Sequence, residues 1–250
     1  MAAPPPSRAD DVQGAGLIFK ACDILDLVGR EPGRLSVKDL TQRTGLAKSS
    51  AYRIVAALEA RGLLRNDRRS QTLSLGFHFL DLAQNVWSTP DLPVVAAAEL
   101  RRLSELTGET AYLAALSGAS AVVLARSLGA HEDSSMSDLG ISRPLFCTSQ
   151  GKAMLAAMPP AQADALIDQL VFERLTPHTI ASAEQLKLRL KIIRQRGFSV
   201  DDQELMMGSR CVGAPVLDSR GACVGAISVT GPFFRMTLER IEQLGPELVN

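Results

Sequence analysis

Short polar and basic side chains are concentrated at the start of one predicted helix, residues 47–61. Five of them fall at its N-terminal end or on its outer face: Lys48, Ser49, Ser50, Tyr52 and Arg53. Such side chains can hydrogen-bond to base edges when a helix enters the major groove of DNA, and free N–H groups at the same end attract phosphate. The polar turn that follows adds three arginines that could track the DNA backbone or enter the minor groove: Arg65, Arg68 and Arg69. These residues predict a DNA-binding surface.

The elements that must position this surface predict a winged helix-turn-helix. Four apolar residues of the 47–61 helix share one face at helical spacing: Ala51, Ile54, Val55 and Leu58. A helix over about 17–29 precedes it, as does a short helix that Ser36 can cap and Gly45 can end. Strands at 62–65 and 71–75 follow it as a hairpin. The alternative is a winged helix that binds only proteins, in which the apolar stripe is ordinary core.

The charge of the chain is unevenly distributed although its net charge is zero. Residues 14–75 contain 11 Lys and Arg against 6 Asp and Glu, whereas residues 76–250 contain 15 against 19. A basic front and an acidic rear indicate that only the front part contacts a polyanion.

The rest of the sequence predicts a connecting helix and a second domain. Pro90 and Pro93 interrupt the helical pattern and mark the boundary between them. Helices are expected at 94–106, 149–158, 162–170, 183–196 and from about 237, and strands at 110–116, 121–127, 197–201, 211–217 and 222–230. Strand pairs interleaved with helices are typical of an α+β domain with one antiparallel sheet. The predicted organisation is a disordered tail at 1–13, the winged helix-turn-helix at 14–75, a linker helix at 76–91 and the second domain at 92–250.

Composition excludes several classes of protein. The content of 46% hydrophobic and 22% charged residues is that of a soluble globular chain, and no apolar run reaches the length of about 18 residues that a membrane span needs. The N-terminus lacks the features of an export signal. Four cysteines without a C-x-x-C pair and three scattered histidines give no support to disulfides or zinc: Cys22, Cys147, Cys211 and Cys223. We therefore expect a cytoplasmic protein with no cofactor and no metal.

An enzyme is the competing hypothesis. Residues 221–225 have the spacing of a nucleophile elbow with Cys223 as nucleophile, but that motif needs a strand, a sharp turn and a helix, and a hairpin is predicted here. Residues 151–153 lack the flanking residues of a phosphate-binding loop. Three carboxylates could in principle bind a metal, although we expect them to form a solvated edge: Asp201, Asp202 and Glu204. We expect no enzyme; the alternative is a cytosolic enzyme that uses Cys223 and has a winged helix that does not bind DNA.

Four segments together resemble the IclR family of bacterial transcription regulators. They are 35–53 (LSVKDLTQRTGLAKSSAYR), 103–110 (LSELTGET), 148–153 (TSQGKA) and 197–204 (GFSVDDQE) with 211–216 (CVGAPV). The resemblance runs from about Gly16 to the C-terminus. It implies a winged helix, a linker helix and an α/β effector-binding and oligomerisation domain similar to GAF domains. It further implies a homodimer or tetramer that binds a palindromic operator as a repressor or activator and responds to a small carboxylic or aromatic acid.

The resemblance also implies which residues of the second domain line an effector pocket: Ser149, Gln150, Gly151, Asp201, Cys211, Ser228 and Thr230. The chemistry of these positions agrees with an organic acid, because a helix N-terminus favours a carboxylate and hydroxyls two residues apart on a strand share one face.

The sequence departs from the family pattern in three places. Gln150 stands where the family usually has a small residue, which predicts a narrower or more polar pocket. Phe146 replaces the usual His, which we interpret as a packing change. The chain ends at Asn250, short of the full C-terminal helix usual in the family, so the oligomer contacts made by that helix are in doubt.

Overall fold

The computed structural model describes residues 15–67, 69–87, 92–130 and 139–249. The predicted tail at 1–13 and Arg68 lie outside the described residues. The chain separates into two compact units, which divide at about residue 91. The expectation of an α+β protein with an N-terminal winged helix-turn-helix is confirmed.

The first unit consists of three helices, a hairpin and a further helix: α1 (Gly16–Arg30), α2 (Val37–Thr44), α3 (Lys48–Ala60), β1 (Leu64–Asp67), β2 (Thr72–Leu75) and α4 (His78–Trp87). All four residues of the predicted α3 stripe are buried. They pack with apolar residues from α1, α2 and the hairpin, among them Ile24, Leu40 and Leu73. This shared core fixes α3 relative to α2 and leaves its opposite face in solvent.

Local interactions fix where α2 begins and ends. The Ser36 side chain accepts from the Asp39 backbone N–H, and the Asp39 carboxylate accepts from the Ser36 N–H, which forms a capping box at the start of α2. Gly45 ends α2 in the left-handed conformation with a φ of 66°. Because only glycine adopts this conformation without strain, the chain can turn sharply here into α3.

The first strand of the hairpin lies two residues later than predicted, whereas the second begins one residue later and ends as predicted. The first strand was expected at 62–65, but Gly62 has a φ of 68° and turns the chain, so β1 begins at Leu64. Asp67 pairs with Thr72, so the connecting turn starts later than expected.

The second unit is a sheet with helices on both faces: α5 (Leu92–Thr107), β3 (Thr110–Ser117), β4 (Ser120–Ser127), β5 (Ser142–Pro144), α6 (Ser149–Ala157), α7 (Pro160–Ile167), α8 (Ala183–Arg196), β6 (Ser199–Asp202), β7 (Ser209–Leu217), β8 (Cys223–Pro232) and α9 (Leu238–Val249). The six strands lie in the order β5-β4-β3-β8-β7-β6, and each neighbouring pair is antiparallel. Alternation along β3 and β8 directs Ala114 and Ala226 to α6 and α8, and Leu113 and Ile227 to α5 and α9.

Two helices of the second unit begin two residues earlier than predicted, so that each includes a proline. The helix predicted from Val94 begins at Leu92, so Pro93 lies in the first turn of α5, next to the boundary that it predicts. Pro160 is the first residue of α7, which was expected to begin at Gln162. Proline costs little at the start of a helix, because the N–H that it lacks has no intrahelical acceptor there.

Candidate functional site

The N-terminus of α3 presents the predicted polar residues to solvent. Lys48, Ser49, Tyr52 and Arg53 are exposed, and Ser50 is half-buried. The N-cap residue of α3 is Ala47, whose side chain cannot accept a hydrogen bond. No N-cap side chain therefore occupies the N–H groups of the first turn. The surface therefore combines free helix N–H groups with a basic side chain and hydroxyls, which suits a phosphate and neighbouring base edges.

The hairpin arginines differ from one another. Arg65 lies on β1 rather than in the turn, its Nε donates to the carbonyl of Leu75 (3.0 Å), and its guanidinium lies over the Phe77 ring at 4.2 Å. Arg69 is exposed in the turn. The Asp67 carboxylate accepts from the Arg69 backbone N–H and the Ser70 hydroxyl, and these bonds lower the pKa of Asp67. The hairpin is thus braced by Arg65, while Arg69 extends from its tip.

A cavity of about 700 Å³ lies in the second unit, on the sheet. Its floor includes one row of directly paired residues from four strands: Thr110 of β3, Thr230 of β8, Cys211 of β7 and Asp201 of β6. Ser228 lines the cavity two residues before Thr230 on the same face of β8. A molecule lying across this row would meet two hydroxyls, a thiol and a carboxyl group in succession.

The first turn of α6 forms another wall of the cavity. Ser149 and Gln150 line it, following the N-cap residue Thr148, whose side chain accepts from the Gly151 N–H (3.1 Å). The backbone N–H groups of a first helical turn have no intrahelical acceptor, so this wall offers hydrogen-bond donors to a bound anion.

Gly151 is a correction to the expected pocket. It is not among the residues that line the cavity. A Cβ atom at this position would lie 2.4 Å from the Cα of Leu145. Glycine is required here because α6 packs directly against the preceding segment of the chain.

Asp201 is a buried carboxyl group in the cavity wall. Its Oδ1 accepts from the backbone N–H groups of Glu204 (2.8 Å) and Leu205 (3.4 Å). Burial raises the pKa of Asp201 to about 6 despite the nearby Lys152 ammonium. Burial likewise raises the pKa of the neighbouring Cys211 thiol to about 12, which leaves a neutral thiol.

The expectation that the acidic loop forms a solvated edge is wrong. Asp201 and Glu204 are buried, and Glu204 pairs with the ammonium of Lys152, which is itself fully buried. Asp202 accepts from the Arg210 guanidinium at 2.8 Å. A charged group is buried stably only with a partner, so the loop folds inward onto its cations. In the described part of the chain, no group of three or more His, Cys, Asp or Glu side chains could hold a metal ion.

Sequence reasoning missed the opposite end of the cavity. The Arg235 guanidinium forms a bidentate pair with the buried Glu109 carboxylate, with distances of 2.6 and 2.9 Å, and both residues line the cavity. Tyr112 and Arg143 line it as well. The alternation of Thr110 and Tyr112 along β3 could have revealed one of these positions, but pairing over 126 residues left no local signal for Glu109 and Arg235.

The nucleophile hypothesis for Cys223 is wrong. Cys223 begins β8 after a hairpin turn, not at a turn between a strand and a helix. Its thiol donates to the carbonyl of Gly225 (3.3 Å), and burial raises its pKa. A thiol held protonated in this way is a poor nucleophile. Phe146, in contrast, packs against Phe172 as expected, with ring centroids 5.0 Å apart.

Comparisons with known proteins match both units. Residues 18–68 match the family model described as the IclR helix-turn-helix domain, and residues 84–250 match that of the bacterial transcriptional regulator IclR C-terminal domain. The regulator BhcR of Paracoccus denitrificans is 31% identical, over 96% of this chain and 86% of its own. No helix among the described residues is long and apolar enough to span a membrane.

Solved structures share the fold. The Thermotoga maritima IclR structure has a TM-score of 0.66 at 28% identity and covers 93% of this chain and 94% of its own. An IclR homologue from Microbacterium hydrocarbonoxydans, solved in complex with 4-hydroxybenzoate, has a TM-score of 0.70 at 19% identity over 93% and 95% of the two chains.

Proposed function

The chain belongs to the IclR family of DNA-binding transcriptional regulators, and on that premise we propose that a small organic acid, bound in the cavity of the second unit, modulates its binding to a palindromic operator in the cytoplasm. The observation that carries this proposal is the convergence on one cavity of residues from four separate elements: Ser149, Gln150, Asp201, Cys211, Ser228 and Thr230. Its relatives are named as regulators, and the chain is a regulator rather than an enzyme.

An organic acid suits the charges around the cavity. The first turn of α6 supplies N–H donors and the positive end of a helix dipole for a carboxylate. With its pKa raised to about 6, Asp201 can take up a proton when an anion binds beside it, which reduces the repulsion between the two groups. The volume of about 700 Å³ lies within the range of small-molecule sites. A protein of the same fold binds an aromatic acid, 4-hydroxybenzoate.

The DNA-binding half of the proposal rests on α3 and the hairpin. In it, Ser49, Ser50, Tyr52 and Arg53 face base edges in the major groove, and Lys48 with the exposed Arg69 contacts phosphates. A homodimer or tetramer would present two such helices to a palindrome whose half-sites are separated by about one turn of DNA or a multiple.

The test uses a duplex that the purified protein selects from a random pool, with four acids as probes: 4-hydroxybenzoate, benzoate, gluconate and hexanoate. At least one acid is expected to raise the melting temperature and to change the affinity for the duplex, because a ligand that binds only the folded state stabilises it. The paired substitution Ser228→Ala with Thr230→Val removes two cavity hydroxyls. It should raise the acid concentration that gives a half-maximal response by about tenfold. An unchanged dose dependence would exclude these two positions.

A further inference from the structure

Gln150 combines two properties that no other described residue shares. Two buried side-chain atoms of the described chain have no hydrogen-bond partner, Gln150 Nε2 and Glu204 Oε2. Of these two residues, only Gln150 lines the cavity. The residue as a whole is only 6% exposed.

An unpaired buried donor is costly, and most buried polar groups in folded proteins are paired. Two neighbouring side chains at this end of α6 already have partners: Thr148 bonds with the Gly151 N–H and the Pro144 carbonyl, and Lys152 pairs with Glu204. The Gln150 amide is therefore left for a group that enters from the cavity.

The group that satisfies an amide N–H must be a hydrogen-bond acceptor. The carboxylate of an acid can use the backbone N–H groups at the start of α6, so the side chain of Gln150 is available to a further oxygen on the same molecule. Asp201 lies on the same cavity and, when protonated, can donate to such an oxygen as well.

We propose that Gln150 determines effector specificity by selecting a carboxylic acid that carries an additional hydroxyl or carbonyl oxygen over the corresponding unsubstituted acid. The inference rests on the proposed effector function and adds to it the chemical class of the ligand. A small residue at this position, as the family pattern has, would leave more room and no side-chain donor. Gln150 thus makes the cavity smaller and favours ligands that carry a hydrogen-bond acceptor for its amide.

The experiment compares dissociation constants within two pairs of acids, gluconate against hexanoate and 4-hydroxybenzoate against benzoate. In the natural chain the oxygenated member of at least one pair should bind about tenfold more tightly or better. Tenfold is the effect expected for one hydrogen bond gained, as in 4-hydroxybenzoate, and gluconate offers five hydroxyls that could each form one. Gln150→Met keeps a side chain of similar length without the donor and should reduce that preference to within about twofold of parity. Gln150→Ala should reduce it similarly and admit bulkier acids.

Gln162→Ala, on the exposed face of α7, is the matched control and should retain the preference of the natural chain. Circular dichroism and melting temperature show whether each variant is folded. An unchanged preference in both Gln150 variants, with binding intact, would overturn this inference alone. Absence of binding by all four acids would overturn the proposed effector class and this inference with it.

Discussion

The N-termini of α3 and α6 offer the same backbone chemistry in opposite surroundings. At α3 the N-cap is Ala47, no side chain caps the first turn, and the residues that follow are exposed. At α6 the N-cap is Thr148, its hydroxyl caps the helix, and Ser149 and Gln150 are buried beside a cavity. One terminus can meet the phosphates of a large polyanion, whereas the other can meet only a molecule small enough to enter.

The charged side chains of the two helices also differ in burial. The outer face of α3 carries its charges in water, as the exposed side chains of Lys48 and Arg53 show. In α6, Lys152 is fully buried and paired with Glu204, so removal of either partner would leave an unpaired charge in a low-dielectric interior. We therefore expect substitutions on the outer face of α3 to weaken DNA binding and leave stability nearly unchanged. Substitutions in α6 should lower both stability and ligand binding.

The largest effect is expected from Lys152→Ala, which leaves Glu204 buried without its cation. The free energy of unfolding of the second unit should fall by about 3–5 kcal/mol, measured by urea denaturation. Lys187→Ala breaks the exposed pair with Asp164 (2.9 Å) and should change the free energy of unfolding far less, because solvent screens that pair. Combining Lys152→Met with Glu204→Leu should recover much of the loss. Similar losses for both lysines would refute the distinction between the two surroundings.

A smaller effect depends on pH and on Asp201. Its pKa of about 6 in the folded protein lies above the ordinary value of 3.8, so its contribution to stability is greatest below pH 4 and declines as the pH rises through 6. Asp201→Asn removes this titration. Relative to the natural chain, the variant should gain on the order of 2–3 kcal/mol between pH 4 and 7. Urea denaturation across this range measures the difference. Asp168→Asn, at an exposed position, is the control and should show no such dependence on pH. If the stability of Asp201→Asn relative to the natural chain were also independent of pH, the raised pKa assigned to the buried Asp201 would be contradicted.

The smallest effects on stability are expected from substitutions of the N-cap residues of α6 and α3. Thr148→Ala removes the cap of α6 and should lower its stability by about 1 kcal/mol. Ala47→Ser adds a cap to α3, where residue 47 has a φ of −58° and a ψ of 137°, and should raise stability by about 0.5–1 kcal/mol. The same serine would occupy N–H groups assigned to phosphate, so DNA affinity should decrease while stability increases. Thermal melting and gel-shift titration measure the two quantities, and a parallel increase would show that α3 does not bind phosphate through these groups.

Sequence predicted what local spacing encodes and missed what distant pairing creates. The capping box of Ser36 and Asp39 and the apolar stripe of α3 follow from residues within one or two turns of each other. The Lys152–Glu204 pair joins residues 52 apart, and its absence from the prediction led to the wrong assignment of a solvated acidic loop. The cavity positions were predicted through family resemblance, since spacing alone does not indicate which strands become neighbours.

The most direct test of the account measures affinity for the selected duplex and for a scrambled duplex of the same composition, in the natural chain and in Arg53→Ala. The natural chain should prefer the selected duplex by about 10³-fold or more, with affinity that falls steeply as salt increases. Arg53→Ala should lose about 1–3 kcal/mol on the selected duplex and little on the scrambled one, whereas Arg61→Ala, at the far end of α3, should lose little on either. Equal affinity of the natural chain for both duplexes would contradict the central claim that α3 reads a specific DNA sequence.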